Sequence, residues 1–469
     1  MILRMLYDES LAQASYLVGC LTSNEALIID PNRFIDQYIQ LAQSQGLRIS
    51  AVAETHIHAD FVSGARELAQ RTGAQLYLSA MGPAEWNYPY ASEAHATLLH
   101  DGDTFQIGKV KLQALHTPGH TPEHMSLLLT NTATTNEPMG LFSGDFLFVG
   151  EVGRPDLLER AAGISGTMEI GARQLFRSLQ KMRTLPDYLQ IWPGHGAGSA
   201  CGRTLGAVPQ STLGYERLGN WAFAIHDEDE FVREVLAGQP EAPFYFAEMK
   251  RINKTGPEPI ATVTLPAQKT LDDLHVRLRE GMRIVDTRSA DDYGAAHIPG
   301  TINIPLGASF VSWAGWLLSY TQPFMLIIDP HNVAHAQQLL SLIGLEHIAG
   351  YLSTDGIEQW KAMGKDLGTI HKIDVDELRQ RSKQGALYVL DVRSASEYAA
   401  GHIDGATNIP LGYLEQRLQE IPAERMIAVH CQKGNRSAIA ASILDAHGLT
   451  SFVDVRGGFE AWEKGETKT

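Results

Sequence analysis

Four short polar segments, each placed where a run of apolar β-type residues ends, carry the side chains of this sequence that could hold a metal. In chain order they are His56-Ile57-His58-Ala59-Asp60, Pro118-Gly119-His120, Ser143-Gly144-Asp145 and Pro193-Gly194-His195. Imidazoles and carboxylates are metal ligands, and strand ends that meet at one sheet edge can gather them from distant parts of a chain. The pattern therefore predicts a metal site at the edge of a sheet.

A cysteine in a polar loop is the second feature that could do chemistry. The apolar run Met426–Val429 leads into His430-Cys431-Gln432-Lys433-Gly434-Asn435-Arg436-Ser437, and a helix is predicted from Ser437 to about His447. Backbone N–H groups at a helix N-terminus favour thiolate over thiol, and Lys433 and Arg436 add positive charge. These neighbours are too polar for a cysteine that only fills a core, so we predict that Cys431 is a reactive thiolate.

Length and charge limit the classes of protein that this chain could belong to. Its 469 residues suggest about three domains. The net charge of −16 argues against nucleic acid or an anionic membrane as a partner, although a small anionic substrate stays possible. No segment reaches the ~18 consecutive apolar residues of a membrane span. The three cysteines are far apart and predict no disulfide framework, which favours a reducing, cytoplasmic location.

The elements that must position the polar segments alternate between strand-like and helical patterns. Helices are predicted for Ile35–Gln45, Gly64–Arg71 and Ala172–Met182 from their apolar spacing and from the glycines that follow the first two. The glycine-rich and charged stretch Gly150–Gly171 is predicted to be a loop over the metal site. Lys254–Pro259 is the first plausible linker.

An internal repeat organises the rest of the chain. The matched pairs of segments are Val285–Tyr293 with Leu390–Tyr398, Asn303–Leu306 with Asn408–Leu411, and Gly356–Trp360 with Gly458–Trp462. We therefore predict an α/β multidomain protein with boundaries at 1–255, 260–366 and 370–469. In the first copy, Asp329-Pro330-His331-Asn332 stands where the second copy has its cysteine segment, so that copy is predicted to be structural, or to shape a channel or an interface.

The four polar segments resemble the motifs of the metallo-β-lactamase superfamily, which implies an αββα sandwich. The fuller first motif of that family is HxHxDH and serves two metals, whereas this chain has Phe61 at the last position. The departure implies one metal, held by His56, His120 and Asp145. Two imidazoles and one carboxylate with open positions suit a non-haem Fe(II), one per chain. The resemblance places His58, Asp60 and His195 beside the site, orienting ligands or substrate.

The repeat resembles rhodanese domains, which are α/β with parallel sheets, and the whole order resembles bacterial persulfide dioxygenase–rhodanese fusion proteins. The resemblance implies oxidation of a low-molecular-weight persulfide by O₂ to sulfite and thiol. Cys431 would then pass sulfane sulfur to sulfite, giving thiosulfate. A phosphatase loop is Cys-x5-Arg, whereas Cys431 and Arg436 form the shorter Cys-x4-Arg, which by resemblance fits a persulfide held by Gln432, Lys433, Gly434, Asn435, Arg436 and Ser437.

Two further residues lie close in sequence to the predicted ligands. Cys201 follows the His195 motif in a glycine-rich segment and either holds a persulfide or contacts the substrate, or is a small buried side chain. Arg154, shortly after Asp145, is a candidate partner for an anionic part of the substrate. Cys20 is predicted to be a core residue.

Other functions stay open at this point. One alternative is a metallo-hydrolase, a glyoxalase II-like thioesterase fused to a sulfurtransferase, which needs two metals or a zinc-bound hydroxide. Another is a sulfur carrier or redox scaffold with a degenerate metal domain. The sequence does not distinguish glutathione, coenzyme A, bacillithiol or another thiol as the persulfide carrier. It also leaves open whether the chain forms a homo-oligomer and whether sulfur passes within or between chains.

Overall fold

The computed structural model describes residues 1–162, 166–203, 205–260, 264–385 and 387–466. The chain forms two compact units. The first consists of Met1–Val263 with Ser341–Gly344, and the second of Thr264–Leu340 with Leu345–Thr469. Each unit is described by itself below.

Two six-stranded mixed sheets form the centre of the first unit, counted over its described residues. The strands are β1 (Ile2–Asp8), β2 (Gln13–Cys20), β3 (Glu25–Ile29), β4 (Arg48–Ala53), β5 (Gln75–Ser79), β6 (Thr97–Leu99), β7 (Thr104–Ile107), β8 (Val110–His116), β9 (Met125–Asn131), β10 (Gly140–Gly144), β11 (Gln190–Pro193) and β12 (Ser211–Thr212). One sheet has the order β1-β2-β3-β4-β5-β6 and the other β12-β11-β10-β9-β8-β7.

Helices connect and flank the strands of the two sheets. They are α1 (Ile35–Ser44), α2 (Ala65–Thr72), α3 (Leu157–Ala162), α4 (Thr167–Met182), α5 (Leu213–Gly219), α6 (Trp221–Ala224), α7 (Glu228–Leu236) and α8 (Tyr245–Thr255), with a 3₁₀ turn at Ala84–Trp86. The predicted first two helices are confirmed, and Gly73 ends α2 in the left-handed conformation.

The stretch Gly150–Gly171 is not the simple loop that the sequence predicts, because it contains α3 and the first residues of α4. Its residues 163–165 lie outside the described residues. Helix α4 begins at Thr167 because the Glu159 carboxylate accepts hydrogen bonds from the backbone N–H groups of Gly166, Thr167 and Met168. A distant carboxylate thus satisfies the N–H groups that a helix start leaves without partners.

The main core of the first unit lies between the two sheets. It is lined from one side by residues such as Tyr16 and Leu27 and from the other by Leu112, Phe142 and Trp192. Separate apolar clusters join the outer face of one sheet to α1 and α2, and that of the other to α4 and α7. These layers confirm the expected αββα sandwich.

Four strands of the sandwich end at the same edge. The polar segments follow the carboxyl ends of β4, β8, β10 and β11. Strands β10 and β11 are parallel, and β8 runs in the same direction because both β8 and β10 are antiparallel to β9. Three strand ends of one polarity in this sheet, together with the end of β4 in the other sheet, therefore bring their side chains to one place.

The second unit contains two parallel sheets. Their strands are β13 (Arg283–Asp286), β14 (Ile302–Asn303), β15 (Phe324–Ile328) and β16 (Ile348–Ser353) in the first, and β17 (Lys372–Ile373), β18 (Leu387–Asp391), β19 (Thr407–Asn408), β20 (Met426–His430) and β21 (Phe452–Val455) in the second. Their orders are β14-β13-β15-β16 and β17-β21-β20-β18-β19.

The helices of this unit alternate with its strands, as parallel sheets require. They are α9 (Leu271–Arg279), α10 (Ala290–Ala295), α11 (Phe310–Leu317), α12 (Val333–Leu342), α13 (Gly356–Ala362), α14 (Val375–Lys383), α15 (Ala395–Ala400), α16 (Asn435–Ala446) and α17 (Gly458–Glu466), with 3₁₀ segments at Pro330–Asn332, Leu411–Tyr413 and Glu415–Glu420. Among all the described residues, no helix combines the length and the apolar character needed to cross a membrane.

Candidate metal centre and cysteine loop

Three predicted ligands converge at the common strand edge of the first unit. The Nε2 atoms of His56 and His120 lie 3.9 and 3.6 Å from Oδ2 of Asp145. All three side chains are buried, and their ligand atoms lie within 4.8 Å of one another. One ion could therefore contact all three.

Hydrogen bonds behind the imidazoles define which ring nitrogen faces the site. The Thr55 hydroxyl donates its proton to Asp30 at 2.8 Å, so it can only accept from Nδ1–H of His56, 2.9 Å away. Nδ1 of His120 lies 3.2 Å from the Arg154 carbonyl oxygen, which can only accept. Both rings therefore turn an unprotonated Nε2 toward Asp145, which is the tautomer of a metal ligand.

The surroundings of Asp145 also suit a cation. Its backbone N–H donates to Nε2 of His124 at 3.1 Å, which leaves Nδ1–H of His124 to donate to the Thr117 hydroxyl at 2.9 Å. Both carboxylate oxygens of Asp145 and Nε2 of His56 are buried without a hydrogen-bond partner in the described residues. A Cβ on Gly194 would lie 2.6 Å from Oδ1 of Asp145, so only glycine leaves room there. Buried polar atoms without partners are costly, and a bound cation would satisfy them.

A second group of possible ligands lies beside the first. Nε2 of His195 is 3.1 Å from Oδ2 of Asp60 and 3.4 Å from Oδ2 of Asp145. Cys201 completes this group, in which the ligand atoms of Asp60, His195 and Cys201 lie within 4.8 Å of one another. Nδ1 of His195 lies 3.0 Å from the Ala12 carbonyl oxygen, to which it donates.

His58 packs against His56, with 4.2 Å between ring centroids, but is not one of the three converging ligands. Its Nε2 lies 3.2 Å from Oδ1 of Asp30, and its ring contacts Phe61 with 4.4 Å between ring centroids. The position at which the fuller superfamily motif carries a histidine is therefore occupied by an apolar ring that packs on His58.

Burial and neighbouring charges shift the pKa values of the two imidazoles, His56 and His195, in opposite directions. Burial, with help from neighbouring imidazoles, lowers the pKa of His56 well below its usual range. Burial also disfavours a charged His195, but the carboxylates of Asp145 and Asp60 outweigh it and raise the pKa of His195 well above its usual range. Burial, with the same two carboxylates, raises the pKa of the Cys201 thiol to about 12. Burial opposes a charged His58 as well, but Asp30 outweighs it and raises the pKa of His58 to about 9. Without a cation, positive charge around the site therefore resides on His195 and His58.

Arg154 is buried and fully engaged by the protein. It donates to both oxygens of Asp156 at 3.0 and 2.8 Å and to the carbonyl oxygens of Ala200 and Pro240 at 3.2 and 2.6 Å. Its backbone N–H donates to the carbonyl oxygen of Cys201 at 3.2 Å. The residue thus holds the Cys201 segment beside His120 instead of presenting a free cation to a ligand.

Several polar residues around the centre were not predicted from the sequence. They are Asp30, Glu54, Thr55, Glu123 and His124, all buried. Burial raises the pKa values of Glu54 and Glu123 to about 7. The only signal that could have revealed two of them is their position next to predicted ligands, Thr55 before His56 and His124 shortly after His120.

The cysteine loop of the second unit follows β20 and ends at α16, which begins at Asn435, two residues before the predicted start. The Cys431 side chain is buried, and its Sγ accepts a hydrogen bond from the backbone N–H of Gly434 at 3.1 Å. Ser437 places its hydroxyl oxygen 3.8 Å from the same sulfur. A Cβ on Gly458, whose φ is +56°, would lie 2.1 Å from the Cys431 carbonyl oxygen, so glycine is required there.

The charged side chains of the loop have partners on neighbouring elements. Arg436 forms an ion pair with Glu397 on α15, and the amide oxygen of Gln432 accepts from Arg393 at 3.1 Å. Lys433 is exposed and lies 3.7 Å from Glu460. The positive charge of this loop therefore comes mainly from an exposed lysine and a paired arginine.

The corresponding loop of the first copy has a different construction. Oδ1 of Asp329 accepts from the backbone N–H of His331 at 2.9 Å and starts the 3₁₀ turn Pro330–Asn332. The carboxylate that replaces the thiol is thus a cap of its own loop.

Comparisons with known proteins agree with these observations. Residues 10–195 match the metallo-beta-lactamase superfamily, and residues 270–363 and 374–465 each match the rhodanese-like domain. The mitochondrial persulfide dioxygenase ETHE1 of Homo sapiens is 29% identical over 197 residues, which cover 41% of this chain and 68% of that protein. A probable polyketide biosynthesis zinc-dependent hydrolase, BaeB, of Bacillus velezensis is 25% identical over 211 residues, covering 45% of this chain and 84% of that protein.

Among solved structures, a metallo-beta-lactamase from Staphylococcus aureus subsp. aureus COL is similar over 75% of this chain and 99% of its own. The two are 45% identical, with a TM-score of 0.68. The chain therefore belongs to the metallo-β-lactamase superfamily, with one domain of that fold followed by two rhodanese-like domains.

Proposed function

We propose that this protein is a bifunctional sulfide-oxidation enzyme. Its first domain would oxidise a low-molecular-weight persulfide with O₂, and its last domain would transfer sulfane sulfur to the sulfite formed. The balanced first reaction is RSSH + O₂ + H₂O → RSH + SO₃²⁻ + 2H⁺. The likeness to persulfide dioxygenases over the first domain and the two rhodanese-like domains support this assignment, with domain boundaries proposed at 1–255, 260–366 and 370–469.

The observation that carries the proposal is the convergence of Nε2 of His56 and of His120 on the buried Asp145 carboxylate, which accepts no hydrogen bond from the described residues. We assign these three residues as the ligands of one Fe(II) per chain. Two imidazoles and one carboxylate leave positions open, and iron bound there would supply the activation of O₂ toward the substrate sulfur.

Neighbouring residues would orient the substrate. His195 donates from Nδ1 to the Ala12 carbonyl oxygen and directs Nε2 toward Asp60 and Asp145, so it would help to position the substrate sulfur beside the metal. Cys201 and Asp60 line the same side. We assign His58 to the support of the ligand loop through Asp30, and Arg154 to the positioning of the Cys201 segment.

Sulfur transfer would take place at Cys431. Its thiolate attacks the outer sulfur of a persulfide, forms a new S–S bond and releases the carrier thiol. The Cys431 persulfide then gives its terminal sulfur to sulfite, Cys–S–S⁻ + SO₃²⁻ → Cys–S⁻ + S₂O₃²⁻, so the thiolate is regenerated. The N–H of Gly434 and the hydroxyl of Ser437 face the sulfur that carries negative charge before and after transfer.

A metallo-hydrolase joined to a sulfurtransferase is the second candidate. The group Asp60, His195 and Cys201 favours it, because these side chains could hold a second ion next to the first. The likeness to a zinc-dependent hydrolase supports the same alternative. Phe61 counts against it, since it removes a ligand that the two-metal members of the superfamily use.

Metal analysis and oxygen uptake together separate these functions. The anaerobically purified protein is analysed for iron and zinc, and O₂ consumption is then measured with glutathione, coenzyme A and bacillithiol persulfides. One iron per chain with persulfide-dependent O₂ uptake is the expected result. Two zinc ions per chain with thioester hydrolysis and no O₂ uptake would establish the hydrolase instead, and a chain that binds no metal would be a sulfur carrier.

A further inference from the structure

A buried asparagine of α8 contacts the backbone of the loop that carries His58 and Asp60. Asn253 is 1% exposed and shares the buried face of α8 with Phe246 and Met249. Burial of an amide group beside apolar side chains costs free energy unless its polar atoms find partners. Helix α8 follows the part of the chain that matches the metallo-β-lactamase superfamily, so Asn253 lies outside the matched residues.

Three hydrogen bonds join the Asn253 side chain to this loop. Its Nδ2 group donates to the carbonyl oxygen of His58 at 2.8 Å and to that of Phe61 at 2.7 Å. Its Oδ1 accepts from the backbone N–H of Ser63 at 2.8 Å. Both N–H donors of the amide are used, and exchange of its oxygen and nitrogen would place acceptor against acceptor and donor against donor. These contacts therefore fix the orientation of the amide.

The two ends of the loop are held by other residues of the sandwich. Before the loop, the N–H of Ile57 donates to Oε1 of Glu123 at 2.8 Å. After it, the N–H of Gly64 donates to the Pro31 carbonyl oxygen at 2.8 Å. Asn253 binds the part of the loop that lies between these two anchors.

Asp60 is the residue by which this part of the loop reaches the metal centre. Its Oδ2 lies 3.1 Å from Nε2 of His195, which in turn lies 3.4 Å from Oδ2 of Asp145. Apart from this approach of His195, the Asp60 carboxylate accepts no hydrogen bond from the described residues. The place of the carboxylate therefore depends on the backbone on either side of it, and that backbone is bound by Asn253.

We propose that Asn253 is a positioning residue of the metal centre, which fixes Asp60 beside His195 through the carbonyl groups of His58 and Phe61. Because His195 approaches both Asp60 and Asp145, a shift of Asp60 changes the surroundings of an ion held by the three proposed ligands. Helix α8 is thereby one of the elements that shape the centre. The inference rests on the proposed function for its meaning in persulfide oxidation.

The test follows the loop and the metal centre separately in the full-length protein. Asn253→Asp keeps the size of the side chain and the acceptor for Ser63, but it turns an oxygen toward the carbonyl oxygens of His58 and Phe61. Hydrogen exchange of the peptide spanning residues 57–65 is measured by mass spectrometry, and the visible absorption of bound Co²⁺ reports the geometry around the ion. We expect exchange in this peptide to become faster by about fivefold or more, the factor that corresponds to one buried hydrogen bond, and the Co²⁺ spectrum to change.

A matched control separates this effect from loss of stability. Asn220 is 2% exposed, and its amide donates to the Glu151 carbonyl oxygen at 3.1 Å and to Oε2 of Glu216 at 2.9 Å, and accepts from the N–H of Ala222 at 3.1 Å. Asn220→Asp should therefore lose a similar set of buried hydrogen bonds without a change in the 57–65 peptide or in the Co²⁺ spectrum.

Asn253→Ala is the second variant, since it removes the same donors without adding a charge, and it should act in the same direction. Unchanged exchange of the 57–65 peptide in both Asn253 variants would overturn the proposal. Equally faster exchange in β2 and β9 would indicate a general loss of stability and would count against it. Faster exchange of the loop alone with an unaltered Co²⁺ spectrum would mean that Asn253 holds the loop without positioning the centre.

Neither measurement uses persulfide or O₂. If the parent protein proved to be a zinc hydrolase while Asn253→Asp still changed the loop exchange and the Co²⁺ spectrum, the proposed function would be wrong and the role of Asn253 would stand. If persulfide-dependent O₂ uptake were observed and neither measurement changed, only the inference about Asn253 would be lost.

Discussion

Arg436 donates two hydrogen bonds to Glu397, from Nη1 to Oε2 at 2.6 Å and from Nη2 to Oε1 at 2.7 Å. The arginine that the sequence places in the cysteine loop is therefore held by a carboxylate of α15, a helix that begins 40 residues before α16 in the chain (395 against 435). The same carboxylate caps α15 through Ser394. Glu397 thus joins the start of one helix to the start of the next.

We predict that Glu397→Gln destabilises the protein at neutral pH. Burial opposes ionisation of Glu397, but Arg436 outweighs it and lowers the pKa to about 2. The stabilisation is present above the unfolded value, ~4.3, and is lost as pH falls through about 2. Because the side chain is 35% exposed, screening limits the effect to about 1 kcal/mol.

Urea unfolding at pH 7, 5 and 3.5 provides the measurement. The difference between parent and variant should shrink as pH falls toward 3.5. The matched control is Glu377→Gln, which breaks an exposed pair with Arg381 and should cost no more than about 0.5 kcal/mol. A difference that grows at low pH would contradict the prediction.

Replacement of a proposed iron ligand should abolish O₂ uptake and leave sulfur transfer intact. His120→Ala and Asp145→Ala are expected to lose iron and to lower persulfide-dependent O₂ uptake by about two orders of magnitude or more. Sulfur transfer by the Cys431 domain should be retained, since the ligands lie in the first unit. His116→Ala is the control, because His116 bonds to the Pro122 carbonyl oxygen away from the ligand group. Full O₂ uptake in either ligand variant would refute the assignment.

The hydroxyl behind His56 should affect metal affinity without contacting the metal. Thr55→Val keeps the side-chain shape but leaves Nδ1–H of His56 and Oδ2 of Asp30 without their partner. We expect iron affinity to fall by about 10-fold to 100-fold. Iron competition with a chelator measures it, and Thr132→Val, which removes a surface hydrogen bond to the Lys109 carbonyl oxygen, is the control. Unchanged affinity would mean that the hydrogen bond does not orient the ring.

Cys431→Ser should separate the two products. Serine stays protonated at neutral pH, so it neither attacks a sulfane sulfur nor carries one. Persulfide and O₂ should still be consumed, while sulfite accumulates where the parent enzyme yields thiosulfate. Product analysis is done under conditions where sulfite and persulfide do not react unaided, with Cys20→Ser as control. Undiminished thiosulfate in the Cys431 variant would make Cys201 the next candidate.

Introduction of a thiol into the first copy should not create a second active site. Asp329→Cys removes the cap of the 3₁₀ turn, and the loop Asp329–Asn332 has no lysine, glycine or arginine like those that follow Cys431. Thiosulfate:cyanide sulfur transfer is measured in a Cys431→Ser background and should stay at the level of that background. Appearance of activity would show that the surrounding loop is competent and that only the cysteine is missing.

The metal centre shows why some residues can be predicted from sequence and others cannot. His56, His120 and Asp145 belong to polar segments that follow strand ends, which predicts a metal site, and the family resemblance selects these three as its ligands. Asp30 contacts His58, and His124 accepts a hydrogen bond from the backbone of Asp145. Both partners are more than 20 residues away in sequence, so no local pattern reveals these contacts.

The cysteine loop illustrates the same limit on a smaller scale. The polar residues around Cys431 predict its reactivity, because the loop is continuous in sequence. The neutralisation of Arg436 by Glu397 arises from a separate helix. The start of α4 at Thr167 has a similar origin, since Glu159 lies outside the apolar pattern that identifies the helix.

The imidazoles of His120 and His195 are oriented by main-chain carbonyl oxygens, those of Arg154 and Ala12. The orientation of both rings therefore depends on the backbone conformation at residues 154 and 12. It does not depend on the side chain at position 12. Ala12 itself has a φ of +51° at the end of the turn before β2. Lengthening or shortening that turn by one residue would rotate the His195 ring, whereas exchange of Ala12 for glycine or asparagine, which tolerate this φ, would not. A change in the length of this N-terminal turn is thus a route by which mutation could alter the position of His195 without replacing any side chain of the centre.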